Sequence, residues 1–285
     1  METADELQDR DEDVRAADGT GVQSGAYLLE LSLDWIVLRA SENIHQLLRE
    51  SHLTLIEEPL GKCVQAQALH DLRNLFSRLS GTTGIARAYA VRLTDEPDRV
   101  DIAFQQADGC VLLEAVPSTG CFGEYFGTVG GLVGGLSSAR GLALLDGGAR
   151  RMRALTGYDR VALVYGEERA ESSRGPLSAP ATLADDLPGI VADAEARPVA
   201  VFPRASEGTS VGQALMRSCS EQSLQALRAE GVCALLRIPF SADGVTGEFR
   251  CDCRTPQAPN FELHAAAELF AQLFAMQLEL DRLRS

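Results

Sequence analysis

The stretch Val100-Asp-Ile-Ala-Phe-Gln-Gln-Ala-Asp-Gly-Cys-Val-Leu-Leu-Glu114 reads as two strands turned back on each other. Its centre, Ala107-Asp-Gly109, separates two runs rich in β-branched and aromatic side chains, and Asp-Gly tolerates the positive φ that a tight hairpin demands. Upstream, a further strand is expected over Ala86–Leu93, set off by the turn at Asp95-Glu-Pro-Asp98. Earlier still, Tyr27-Leu-Leu-Glu-Leu-Ser-Leu-Asp-Trp-Ile-Val-Leu38 suits two short strands meeting near Asp34. A helical stretch from Ser41 then puts Ile44, Leu47 and Leu48 on one face.

Downstream, residues 122–156 carry paired glycines at Gly130-Gly131, Gly134-Gly135 and Gly147-Gly148, yet Leu132, Leu136, Leu144, Leu145 and Met152 keep an approximate helical spacing. Each interior glycine costs about 1 kcal/mol against alanine. The expectation is a bent helix, or one pressed closely against a partner. A second strand-rich region opens at Leu155-Thr-Gly-Tyr-Asp-Arg-Val-Ala-Leu-Val-Tyr165 and closes with a hairpin, Val232–Phe240 and Gly247–Arg254, turning at Ser241-Ala-Asp-Gly244. From Phe261 a final helix is capped by Asn260 after Pro259. Along it Leu269, Leu273, Met276, Leu280 and Leu283 step by four, three, four and three, the seam of a coiled coil, with Phe270 and Phe274 on an adjoining face. One stripe can pack on a sheet while the other meets a second subunit; the alternative is a single wide stripe on the core of a monomer.

Composition narrows the function. With 285 residues, 45% of them hydrophobic, the chain can fill two cores. Its 41 acidic and 26 basic side chains give a net charge of -15 with no basic run, which argues against direct nucleic-acid binding. Seven carboxylates precede Arg15, so residues 1–20 are expected to be a disordered acidic arm. No apolar stretch approaches the roughly 18 to 20 residues needed to span a bilayer, and the N-terminus lacks a basic region followed by an apolar one; a cytoplasmic protein is expected. Seven cysteines, at 63, 110, 121, 219, 233, 251 and 253, are too scattered for a disulfide framework, and Cys251-Asp-Cys253 with four dispersed histidines (His45, His52, His70 and His264) does not make a metal site. No G-x-S-x-G, H-E-x-x-H or phosphate-binding loop occurs, so catalysis is not expected.

Several of these stretches resemble the phytochrome family. Val100–Glu114 is similar to the last hairpin of the phytochrome-type PAS domain, and Leu155–Tyr165, the most specific match, to the opening of the GAF sheet. Asp186-Leu-Pro188 resembles the family's Asp-Ile-Pro turn, and Arg217–Val232 the helix lining its bilin pocket. The resemblance runs from about Val22 to Leu283. It implies an α+β fold of two consecutive domains, antiparallel sheets flanked by helices and joined by a long helix: a PAS domain over 21–118, a bridge over 119–156, a GAF domain over 157–260 and a terminal helix over 261–285. It further implies a homodimer through helices 122–156 and 261–284, a partner signalling protein, and relatives that continue into a third domain, so the chain is expected to be a short paralogue or a fragment.

The resemblance also shows what has changed. Bacterial members attach biliverdin through a cysteine just before the first PAS strand; Val22–Leu29 resembles the stretch after it, but residues 1–62 contain no cysteine. The cysteine that other members use matches Gln222, with Cys219 one turn earlier. The two pocket histidines match Ser223 and Asp252. Tyr165, Asp186, Arg217 and Ser220 stand where the family places an aromatic wall, a key carboxylate and propionate contacts, and Pro188 belongs to the same turn as Asp186. Arg217 can equally pair a nearby carboxylate, and Asp186 can cap a turn. An unpaired Asp252 in a dry cavity would be costly, so it is expected to face water in an open or collapsed pocket. The loops here are shorter than the family's, including the one that makes its knot, which leaves the knot open. The reading is therefore a light-independent regulatory or dimerising member without a cofactor. One alternative is a photoreceptor holding biliverdin non-covalently through Arg217, Tyr165 and Asp186. Another is a thiol redox sensor: a turn around residue 243 would set Cys233 opposite Cys253, with Cys251 on the same face.

Overall fold

The hydrophobic alternation is realised as two antiparallel sheets in a computed structural model that describes residues 20–79, 84–119, 123–175, 187–204 and 210–284. The expected acidic arm (but for Thr20) and Asp186 lie outside the described residues. Strands β1 (Tyr27–Leu31) and β2 (Val37–Ser41) flank the turn at Asp34. After a short 3-10 turn come helices α1 (His45–Leu48), α2 (His52–Leu55) and α3 (Ala66–Phe76), then β3 (Ala86–Val91), β4 (Val100–Ala107) and β5 (Cys110–Pro117). The β4–β5 hairpin turns at Asp108 and Gly109, both at positive φ, as the Asp-Gly pair requires.

One face of this first sheet packs Leu29, Val37, Phe104 and Leu113 against Ile44, Leu55 and Leu72 of the short helices. The other face, with Leu28, Ala103, Leu112 and Val116, belongs to the same core as the C-terminal half. The joining stretch is helical and bent: α4 (Glu124–Gly134) and α5 (Gly141–Thr156) meet at a turn. Close approach explains two of its glycines. A Cβ on Gly148 would lie 2.5 Å from the Phe274 ring, and one on Gly147 would lie 2.8 Å from Leu136. Gly127, Gly130, Gly131 and Gly134 would meet nothing within 4 Å, and nothing in the structure explains them.

The second sheet has the order β7-β6-β11-β10-β8, built from β6 (Arg160–Tyr165), β7 (Glu168–Ser173), β8 (Ile190–Val191), β10 (Ala234–Ala242) and β11 (Val245–Cys253). β9 (Val201–Phe202) crosses over to extend the first sheet beside β2. Helix α6 (Glu221–Ala229) lies on one side, and α7 (Phe261–Arg282) on the other, where it packs on β10. Asn260 caps α7 by accepting from the Leu263 N–H at 2.9 Å. The N-terminal segment is gripped from both sides: Val22 exchanges backbone bonds with Val199, Gln23 donates to the Met216 carbonyl at 2.8 Å, and Ser218 donates to the Gly21 carbonyl at 2.8 Å. Val199, Met216 and Ser218 thus hold the N-terminal segment in place.

Candidate functional site

Period two along β11 sends Phe249, Cys251 and Cys253 to one face of the second sheet and Arg250 and Asp252 to the other. Asp252 pairs with Arg160 across to β6. Its side chain is fully buried and accepts from Arg160 Nε at 2.8 Å, Arg160 Nη2 at 2.5 Å and Arg250 Nε at 2.7 Å. Arg250 Nη2 donates in turn to Glu230 at 2.5 Å, and Arg160 Nη2 lies 4.0 Å from the same carboxylate. The expectation that Asp252 faces water is thus corrected: two guanidinium groups supply the compensation that burial demands.

Glu230 reaches the cluster because it stands at the C-terminal end of α6. Ser223, Leu227 and Glu230 share one face of that helix, at spacings of four and three. Leu224 and Leu227 pack on Leu187, Val191, Val232 and Leu235, which closes the space between helix and sheet. Among the described residues, a small cavity of about 20 Å³, room for about one water, lies beside Cys219 and Leu224. Gln23 fills the approach from the N-terminal segment. Its amide donates to the carbonyls of Ile190 (2.6 Å) and Arg217 (3.1 Å) and accepts from the Ala192 N–H (2.9 Å).

Comparison with solved structures places this architecture. The chain matches the chromophore-binding domain of an unusual bacteriophytochrome from R. palustris with a TM-score of 0.73 and 22% identity, covering 94% of this chain and 97% of that one. The chromophore-binding domain of a Stigmatella aurantiaca phytochrome matches at 0.72 and 22%, covering 91% and 96%. Against the photosensory core module from S. aurantiaca the TM-score is 0.74, with 22% identity, covering 93% of this chain and 59% of that one. The fold is that of a phytochrome chromophore-binding domain. No protein-family model and no curated protein sequence matches the chain.

Within that PAS-GAF fold, the residues singled out from sequence separate. Ser223 and Asp252 lie on the two elements that bound the α6 side of the GAF sheet. Ser220 is the N-cap of α6, accepting from the Ser223 N–H at 3.1 Å. Pro188 is buried beside β8. Arg217 is half-buried and near enough to Glu114 to pull down on its carboxyl. Tyr165 is a correction: an odd position on β6, it turns to the opposite face, stacks on Phe240 with centroids 6.1 Å apart, and donates to the Ala242 carbonyl at 3.1 Å.

The cysteine register is a second correction. The hairpin turn holds two residues, Asp243 and Gly244, so Cys253 stands opposite Ala234 and not Cys233. A shift of one residue puts Cys233 on the other face. Cys251 is fully buried, and burial pushes its thiol up, which suits an inert packing role. On α7 the expected seam is exposed at Leu269 (37%), Met276 (57%), Leu280 (39%) and Leu283 (84%), while Leu273 leans on the core.

Reasoning from sequence missed Arg160, Arg250, Glu230 and Gln23. A signal existed for one of them: Arg250, like Asp252, alternates with Phe249 and Cys251 along β11.

Proposed function

We propose that this chain is a light-independent sensory and dimerising module on the phytochrome PAS-GAF fold, with its bilin compartment closed by its own side chains. The observation that carries this is the buried cluster of Arg160, Asp252, Arg250 and Glu230, which occupies one of the two positions where the resemblance expects a histidine, Asp252, and reaches the helix that carries the other, Ser223. These four charges are engaged with one another and not with a bilin's pyrrole nitrogens. The absent cysteine before β1 removes the covalent route as well.

The module acts in the cytoplasm without catalysis of its own, pairing through the α7 seam and passing a signal to a partner protein. The exposed row Leu269, Met276, Leu280 and Leu283 supports the pairing. Mixing the purified protein with biliverdin, desalting and recording far-red absorbance before and after red illumination tests the reading. No retained pigment is expected; a stable band that photoconverts would replace it with a non-covalent photoreceptor. Light scattering should give a dimer that Met276→Glu with Leu280→Glu converts to monomer.

A further inference from the structure

A second space lies on the opposite face of the GAF sheet from the ion cluster, where the N-terminal end of α7 meets the sheet and the bridge. It is a cavity of about 210 Å³. That exceeds the roughly 150 Å³ that accommodates benzene in an engineered apolar cavity. Ile190, Leu236 and Leu263 supply apolar wall, and no charged side chain lines it among the described residues.

Two polar side chains on its lining each keep one atom that no described residue bonds. His264 is 3% exposed, and Arg87 Nη2 donates to its Nδ1 at 2.8 Å, so the ring proton sits on Nε2. Burial, with the Arg87 charge adding to it, pushes the imidazole down to about 3, so the ring is neutral. Tyr158 is 5% exposed. Neither Nε2–H nor the Tyr158 hydroxyl makes a hydrogen bond among the described residues. Asn260 also lines the space; its Oδ1 is used in capping α7, which leaves its amide N–H groups as donors. Three residues with donors therefore line one space.

We propose that this cavity binds a neutral, ring-sized molecule presenting a carbonyl or ring-nitrogen acceptor. Neutrality follows from the surroundings. The nearby Arg87 is held by Glu268 at 2.8 Å, and Glu262 accepts from the Gly123 N–H at 2.8 Å, so an anion entering would be desolvated without a counterion in the wall. The ring fits between apolar side chains while the acceptor meets Tyr158, Asn260 and His264. Because Arg87 belongs to β3 and His264 to α7, an occupant would bear on the contact between the two sheets' layers.

The test is a titration of the whole chain with benzamide and nicotinamide at millimolar concentration, followed by amide chemical shifts. Saturable shifts clustered at Tyr158, Leu236 and His264 are expected. Tyr158→Phe should weaken binding about tenfold while leaving the stability of the empty protein little changed, since the hydroxyl bonds no described residue. Ala258→Trp, which places bulk at the exposed mouth, should abolish binding with the fold intact. The proposal is overturned if neither amide gives saturable shifts there, if both variants bind as the parent does, or if benzene binds as tightly as the amides.

Discussion

The two faces of the GAF sheet are buried to the same degree and by opposite chemistry. On one, Phe240, Phe249, Phe270 and Phe274 interlock, with ring centroids 5.2 to 5.8 Å apart for Phe249–Phe274, Phe240–Phe249 and Phe240–Phe274. On the other, Arg160, Asp252, Arg250 and Glu230 neutralise one another beneath a small apolar lid. The aromatic face gains from removing apolar area from water. The ionic face first loses hydration and recovers it only through bonds of good geometry. Equal burial therefore says little about equal worth.

Single truncations hide this difference. Asp252→Ala leaves two guanidinium groups buried without their shared carboxylate and should cost about 3–5 kcal/mol. Phe274→Ala opens a cavity in the aromatic face and should cost a similar 3–5 kcal/mol. Urea unfolding measures both. Replacing the whole cluster separates them: Arg160→Met, Arg250→Met, Asp252→Leu and Glu230→Gln together should leave stability unchanged or raise it by up to about 4 kcal/mol. A large loss in that variant would mean that the ion pairs are a net source of stability and not a filler of the old compartment.

Glu114 is a third kind of buried charge, held by backbone. It is 2% exposed and accepts from the N–H groups of Leu215 (2.9 Å) and Met216 (2.7 Å), tying the PAS sheet to the loop before α6. Burial pushes its carboxyl up to about 7, against the pull of those two bonds. The folded state then keeps a proton that the unfolded state releases from about 4.5 upward, so stability falls as pH rises from 4.5 to 7 and is level above. His264 acts in the other direction: its folded value is depressed from 6.5 to about 3, so stability is lost on acidification through that window. Glu114→Gln should remove the first slope, worth roughly 3 kcal/mol across the window, and leave the second. Chemical denaturation at a series of pH values would show it; an unchanged slope in the variant would reject the assignment.

The fold was legible because local rules agreed with it. Asp108-Gly109 and Asp243-Gly244 both make the turns their dipeptides predict, and Asn260 caps the helix it precedes. The site was legible only in part. Placing the second turn at one residue in place of two shifted the cysteine register by one and so exchanged faces, which period two does not forgive. The partners of Asp252 come from the start of β6 and the end of α6, and no periodicity within β11 announces elements so distant in sequence. Tyr165 was misplaced for a related reason: a resemblance fixes the strand, while the face depends on parity.

The bridge glycines offer the smallest and sharpest version of the same contrast. Gly148 faces the aromatic layer, where a Cβ would lie 2.5 Å from Phe274, so Gly148→Ala must move a ring in a packed core and should cost about 1–3 kcal/mol. Gly131 sits in a helix of the same bridge with nothing within 4 Å of a Cβ. There the helix propensity of alanine acts unopposed, and Gly131→Ala should stabilise by up to about 1 kcal/mol. Thermal unfolding of the two variants side by side reads the sign. A loss at Gly131 would mean that a second subunit approaches α4 closely in solution, since only a neighbour missing from the monomer could make a methyl group there unwelcome.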